Sequence, residues 1–116
     1  MRNDKENLIV KLTLEFALEV IEYSELLELN KKFVIAKQLL KSGTSIGANV
    51  REAQNAESKP DFIHKLKIAA KEADETEYWI LLCELSKNYP KSINLKENLT
   101  SIQNVLSKII STSKSQ

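Results

Sequence analysis

The 116-residue sequence has few residues that interrupt helices and few that commonly do chemistry: two glycines, two prolines, one cysteine and one histidine. The scarcity of Gly and Pro removes most turn signals. In addition, β-branched and aromatic residues never alternate with polar residues over the length of a strand. These absences exclude a β-sheet protein and predict one all-α domain spanning residues 1–116.

Long apolar runs are also missing. Charged residues interrupt every apolar stretch before the roughly 18 residues that a bilayer span needs, and Met1–Glu6 lacks the apolar region of a signal peptide. We therefore expect a cytoplasmic protein without membrane contact. The single Cys83 excludes an internal disulfide, and its apolar surroundings favour a small buried side chain over a reactive thiol.

The usual catalytic and metal-binding motifs are absent. A two-metal site in a helix bundle needs paired Glu-x-x-His motifs, and only Asp61 with His64 approaches one. A Cys–His nucleophile pair is excluded because His64 and Cys83 lie about five turns apart on one predicted helix. Gly43 and Gly47 lack the Lys-Ser/Thr ending of a phosphate-binding loop. We expect a non-enzymatic protein without a metal, a cofactor or a small-molecule substrate.

What is present is helical periodicity, because apolar residues recur at intervals of three and four in four segments. The predicted helices span about residues 4–29, 33–57, 59–87 and 95–111. Four helices with short connections pack most simply as an antiparallel up-down-up-down four-helix bundle.

Helix-start signals accompany three of these segments. Asn3–Glu6 and Asn94–Glu97 have the spacing of a capping box. Before the third helix, Ser58 is the predicted N-cap, Pro60 lies in the first turn and Asp61 is the predicted reciprocal partner.

Gly43 and Gly47 lie one turn apart on the predicted core side of the second helix. Because a helical glycine costs about 0.5–1 kcal/mol relative to alanine, a compensating contact is expected, and close approach of a neighbouring helix supplies one. The alternative is a break at residues 42–45 that divides the helix in two.

The first helix carries a second group of apolar residues about 100° from its core-facing stripe. This group comprises Val10, Leu14, Ala17 and Ile21. A monomeric bundle would expose it to water, so we expect a homo-oligomer interface there. The alternative is that the helix sits deep enough for both groups to join one core.

The net charge of +1 conceals strong segregation. Residues 31–71 contain nine basic and three acidic residues, whereas residues 1–30 and residues 72–88 each have a net charge of −4. Five basic residues of the central region are candidates for contacts with nucleic-acid phosphates. They are Lys37, Lys41, Arg51, Lys67 and Lys71. No aromatic residues interleave with them as in a base-stacking surface.

Polar residues also recur at one-turn spacing beside the core of the second and third helices. They are Ser45, Asn49, Glu52, Glu72 and Thr76. Because buried polar groups need partners, we expect a structural hydrogen-bond network that fixes helix register. Acid–base catalysis by Glu52, Glu72 and Glu75 is the alternative interpretation.

Three stretches, Gln38–Ala53, Asp61–Leu66 and Lys71–Trp79, resemble the four-helix-bundle family related to the 23S ribosomal RNA intervening-sequence protein. The resemblance implies antiparallel bundles that assemble as homopentamers, without enzymatic activity. Some members are encoded within intervening sequences of bacterial 23S ribosomal RNA genes. Another branch comprises accessory proteins of diversity-generating retroelements, which bind nucleic acid through a strongly basic surface that this near-neutral chain does not share.

Two functional hypotheses follow. The first is a non-enzymatic homo-oligomer, a pentamer by resemblance, that binds structured RNA or another nucleic acid through its basic residues. The second is an oligomeric protein-binding scaffold without nucleic-acid contact.

Overall fold

A computed structural model describes residues 4–115, which form four α-helices and no strand. The helices are α1 Asp4–Leu29, α2 Phe33–Ala53, α3 Lys59–Leu85 and α4 Leu95–Lys114. The predicted all-α four-helix fold is confirmed. The C-terminal boundaries of three helices differ from the predictions: α2 ends at 53 instead of 57, α3 at 85 instead of 87, and α4 continues to 114 instead of 111. The body measures 48 × 20 × 19 Å.

Helices α1 and α2 run antiparallel and approach closely at the two glycines. A Cβ atom on Gly43 would lie 2.9 Å from both methyl carbons of Val20, and one on Gly47 would lie 3.4 Å from Thr13. The later glycine thus meets the earlier residue of α1. Helix α2 continues unbroken through both positions, so the alternative of a divided helix is excluded.

Helices α2 and α3 are also antiparallel neighbours. The hydroxyl oxygens of Ser42 and Thr76 lie 2.9 Å apart in a buried hydrogen bond. Nearer the connecting loop, Lys65 Nζ donates to Glu52 Oε1 at 3.2 Å. Because Ser42 precedes Glu52 in α2 whereas Thr76 follows Lys65 in α3, the two chains run in opposite directions.

Helix α4 closes the bundle against α1 and α3. Asn98 Nδ2 donates to the Glu19 carboxylate at 2.9 and 3.0 Å, and Tyr23 Oη donates to the Pro90 carbonyl at 2.6 Å. Each helix therefore packs against two others in the cyclic order α1, α2, α3, α4. This is the up-down-up-down arrangement, in which the α1–α2 and α3–α4 edges lie on opposite sides.

Apolar side chains from all four helices fill the core. The largest fully buried ones include Phe16 and Leu27 of α1, Leu39 and Ile46 of α2, Leu66 and Ile80 of α3, and Leu99 and Leu106 of α4. All belong to the periodic positions of the sequence. Cys83 is also buried, as predicted.

Ser58 is the N-cap of α3, as predicted. Its hydroxyl accepts a hydrogen bond from the Asp61 amide at 3.1 Å, and Pro60 lies in the first turn. The Asp61 carboxylate accepts from the Glu57 amide at 3.2 Å, one residue before the predicted reciprocal donor.

The capping box predicted at Asn94–Glu97 is wrong. Asn94 has a left-handed backbone, with φ 64° and ψ 6°, and its side chain makes no capping hydrogen bond. A capping side chain reaches the first turn from an extended backbone, and the left-handed conformation, which Asn tolerates well, turns it away. The box predicted at Asn3–Glu6 begins outside the described residues.

Candidate functional site

The predicted interface residues lie along a shallow groove between α1 and α2. Val10, Leu14 and Ala17 line one wall, and Thr44, Gly47, Ala48 and Arg51 of α2 line the other, around a volume of about 170 Å³. One turn further along the two helices lie Ile21 and Leu40. We call this surface, together with Leu18, the α1–α2 face.

Much of the α1–α2 face is open to water. Leu14 is 52% exposed, Leu18 55% and Ile21 38%. The alternative that α1 sits deep enough to bury its second apolar group therefore fails for Leu14 and Ile21. Sequence reasoning found the α1 half but missed the α2 half, because small residues such as Gly47 and Ala48 give no hydropathy signal.

The five predicted phosphate-binding residues do not share one surface. All five side chains are exposed. Arg51 lines the α1–α2 groove, and Lys37 lies two turns before Thr44 on the same side of α2. Lys67 lies instead beside Lys114, on the edge between α3 and α4. The packing of the helices thus divides the predicted basic region.

Lys67, Lys71 and Lys114 form a group that we call the lysine cluster. The nearby Lys114 side chain is the main cause that lowers the pKa of Lys67, and Lys71 adds a smaller repulsion. The charges that act on the Lys67 ammonium are therefore those of other lysines. Sequence reasoning identified Lys67 and Lys71 but missed Lys114, which comes from the last turn of α4.

Two members of the predicted polar network bind their own helix. Ser45 Oγ donates to the Lys41 carbonyl at 2.6 Å, and Asn49 Nδ2 donates to the Ser45 carbonyl at 2.9 Å. Such bonds to a carbonyl one turn earlier satisfy a polar side chain without any partner from another helix.

The remaining members reach across to residues outside the predicted set or to the backbone. Thr76 pairs with Ser42 and donates to the Glu72 carbonyl at 2.7 Å, and Glu52 pairs with Lys65. In the part of the chain that the structure describes, no hydrogen bond joins two side chains of the five predicted residues. Two separate side-chain contacts, Ser42–Thr76 and Glu52–Lys65, join α2 to α3 instead.

A second groove, missed by sequence reasoning, lies between α3 and α4. It has a volume of about 320 Å³, and three acidic residues, Asp74, Glu77 and Glu84, line it together with one basic residue, Lys96, and the side chains of Tyr78 and Leu81. We call this the acidic groove. Gln103 crosses it and donates to Asp74 and Glu77 at 3.4 and 3.2 Å. The −4 balance of residues 72–88 was the available signal.

The residues with catalytic potential are kept apart. Burial raises the pKa of the Cys83 thiol, which keeps it protonated and weakly nucleophilic, whereas His64 is exposed near the opposite end of α3. Burial also raises the pKa of Tyr23, whose hydroxyl donates a hydrogen bond to the Pro90 carbonyl.

Within residues 4–115 no group of three or more His, Cys, Asp or Glu side chains is placed to hold a metal ion. None of the described helices is long and apolar enough to cross a membrane.

Comparison with known proteins gives a family. The family model of the 23S rRNA-intervening sequence protein matches residues 5–111. A crystal structure from Bacteroides thetaiotaomicron VPI-5482, described as a protein with unknown function from the S23 ribosomal protein family, is 44% identical and superposes with a TM-score of 0.86. The match covers 92% of this chain and 98% of that one. No curated protein matches the sequence. The chain belongs to the 23S rRNA-intervening sequence protein family.

Proposed function

We propose that this protein is a non-enzymatic homo-oligomer that binds structured RNA in the cytoplasm. The lysine cluster is the observation that carries the RNA-binding part. Lys67, Lys71 and Lys114 are exposed and lie close enough for lysines to depress the pKa of Lys67. Concentrated positive charge attracts phosphate groups, and their binding releases counterions from the nucleic acid.

Family membership supports RNA as the nucleic acid, because the family is named for intervening sequences of 23S rRNA. The separation of the buried Cys83 from the exposed His64 supports a non-enzymatic role. Phosphate contacts of this kind position a protein on RNA without reading base sequence, so we expect weak discrimination among structured RNAs.

The open α1–α2 face supports the homo-oligomer. Leu14, Leu18 and Ile21 are exposed on consecutive turns, and contiguous apolar surface of this kind marks interaction sites. Assembly would repeat the lysine cluster once per copy, so several weak phosphate contacts would act together. Five copies is the specific expectation from the family resemblance, and light scattering at micromolar concentration measures it.

The RNA test compares two lysine reversals by fluorescence anisotropy with a labelled RNA hairpin. Because Lys67 belongs to the cluster, Lys67→Glu should weaken binding and flatten the slope of log affinity against log salt by about one. Lys87→Glu makes the same charge change at an exposed position outside the cluster and serves as the control. Equal effects of the two variants would mean that only net charge matters.

A protein-binding scaffold is the second candidate function. The observation that favours it is the acidic groove, which combines carboxylates that repel RNA with the exposed side chains of Tyr78 and Leu81. The same titration separates the candidates. If the wild-type protein assembles but fails to bind any structured RNA at about 50 mM salt, where electrostatic attraction is strong, the scaffold is the better account.

A further inference from the structure

The lysine cluster borders a groove between α3 and the last turns of α4. The groove has a volume of about 440 Å³. Its lining includes apolar side chains, hydroxyl groups and one ammonium group, from Ala70, Ile110, Ser107, Ser111 and Lys114. Lys67 and Lys71 lie one turn apart on α3, and both are exposed on the side of Lys114. Three ammonium groups thus stand together beside a cavity.

The carboxylates that follow Lys71 on α3 already have hydrogen-bond donors. Asp74, which also lines this groove, accepts from the Gln103 amide at 3.4 Å. Glu75 accepts from the Trp79 indole at 3.1 Å. These two carboxylates are therefore engaged by donors outside the lysine cluster, and the positive charges of the cluster act mainly on one another.

Crowding of positive charge makes one of these amines a better nucleophile. A lysine attacks an electrophile as the neutral amine, and a neighbouring cation favours that form. The side chain of Lys114 is the main cause that lowers the pKa of Lys67, and Lys71 contributes less. Because Lys67 is also exposed, a reactive molecule in solution can reach it.

The charges that activate the amine also favour an anionic reactant. Acyl phosphates join an electrophilic acyl carbon to a negatively charged phosphate group, so the ammonium groups of Lys71 and Lys114 attract them. The Ser111 hydroxyl lies on the same wall and can donate to a phosphate oxygen, while Ala70 and Ile110 offer apolar surface to the acyl chain. The groove thus suits both halves of such a molecule.

We propose that Lys67 is an acylation site and that its acyl donor is an acyl phosphate. The Lys67 nitrogen forms a bond to the acyl carbonyl carbon, and the bond from that carbon to the phosphate oxygen breaks. Inorganic phosphate leaves with the bonding electron pair, and one amine proton passes to water. The product is an uncharged amide on Lys67.

Acylation at this position regulates the RNA-binding surface. This part of the inference rests on the proposed function, in which the lysine cluster contacts phosphate groups of RNA. An amide carries no charge, so the reaction removes one phosphate contact and leaves those of Lys71 and Lys114. Affinity for RNA then falls as Lys67 is acylated.

The test incubates the full-length protein with acetyl phosphate and follows acetylation of each lysine by mass spectrometry. Lys67 should react at least about threefold faster than Lys87, an exposed lysine beyond the other end of α3. Lys114→Gln should slow the reaction at Lys67 to about the rate at Lys87, because it removes the main neighbouring charge. Lys108→Gln is the matched control, since Lys108 is exposed on α4 about 120° around the helix from Lys114.

A neutral donor, N-acetoxysuccinimide, separates the reactivity of the amine from the attraction of the anion. The preference for Lys67 should persist with this donor but be smaller than with acetyl phosphate. Equal rates at Lys67 and Lys87 with acetyl phosphate overturn the acylation site, and so does an equal loss in Lys114→Gln and Lys108→Gln. A preference of the same size with both donors overturns the assignment of an acyl phosphate.

Binding of the RNA hairpin separates this inference from the proposed function. A saturating hairpin should slow acetylation at Lys67 and leave Lys87 unchanged, and Lys67→Gln, which is uncharged like the acylated residue, should weaken hairpin binding. If the wild type binds no RNA, the proposed function fails, and the acetylation rates still decide the acylation site. If RNA binds while Lys67 reacts no faster than Lys87, the proposed function stands and the inference is overturned. Equal acetylation of Lys67 with and without bound hairpin overturns its regulatory part.

Discussion

Helices α2 and α4 contact their neighbours in different ways. Helix α2 meets α1 through Gly43 and meets α3 through the buried Ser42, so its closest contacts involve very small side chains. Helix α4 buries large aliphatic residues and reaches its neighbours at the surface through the long polar side chains of Asn98 and Gln103. An open groove lies between α3 and α4, and another lies between α1 and residues 91–95, which lead into α4.

The contrast distinguishes a closely packed contact, around α2, from a contact that leaves surface open for binding, beside α4. Small residues allow two helix backbones to approach closely, and an interior packed in this way leaves little room for an added methyl group. Helix α4, which buries large residues, has fewer close backbone contacts with its neighbours than α2 has with its own. The groove between α3 and α4, at about 320 Å³, is accordingly larger than the groove of about 170 Å³ between the closely packed α1 and α2.

Gly43→Ala should break the close α1–α2 contact and have the largest effect on stability. Its Cβ would lie 2.9 Å from both Val20 methyl carbons, and the branched side chain has little rotamer freedom in a helix. Overpacking costs about 1–3 kcal/mol, which exceeds the gain of about 0.5–1 kcal/mol in helix propensity. Urea unfolding should show a lower midpoint.

Gly47→Ala is the matched control for this prediction. Its Cβ would lie 3.4 Å from Thr13, an ordinary contact distance, so the gain in helix propensity should dominate. We expect unchanged or slightly higher stability. Equal destabilisation by the two substitutions would show that close packing at Val20 does not explain the requirement for glycine.

Ser42→Ala should have a smaller effect, because it removes one hydrogen bond from the α2–α3 contact without adding volume. Thr76 would keep its bond to the Glu72 carbonyl, so the expected loss is about 1 kcal/mol. A double-mutant cycle with Thr76→Val isolates the pair. Strictly additive losses would mean that the two hydroxyls contribute separately and that their contact adds nothing.

These contacts show what the sequence could predict. Gly43 predicted a close helix contact, because the helix stability that a core-facing glycine loses must be offset by a favourable packing contact. Its partner Val20 is one of the apolar residues that recur at intervals of three and four along α1. Ser42 was missed although it adjoins Gly43, since a serine beside the core gives no signal that distinguishes an interhelical bond from a bond to its own helix.

The interaction surfaces were less predictable for a related reason. A helical wheel gives the direction of Arg51 or Lys67 from the axis of its own helix, but it does not say which neighbouring helix lies on that side. The cyclic order of the helices decides this, and it puts Arg51 beside α1 and Lys67 beside α4. Lys114 lies beside Lys67 only because α4 packs against α3, which the helical wheel of α3 does not reveal.

Gln103→Ala, in α4, should have the smallest effect on the free energy of unfolding, in contrast to Gly43→Ala in α2. The Gln103 amide donates to Asp74 and Glu77 at 3.4 and 3.2 Å, but these bonds are exposed, and water replaces them at little cost. We expect the free energy of unfolding to change by less than about 0.5 kcal/mol, as is usual for surface substitutions. A loss comparable to that of Gly43→Ala would show that polar side chains at the groove, and not the buried aliphatic residues, hold α4 against α3. Urea unfolding monitored by circular dichroism measures the free energy of unfolding of both variants on the same scale. Equal losses would mean that α2 and α4 do not differ in how their contacts contribute to stability.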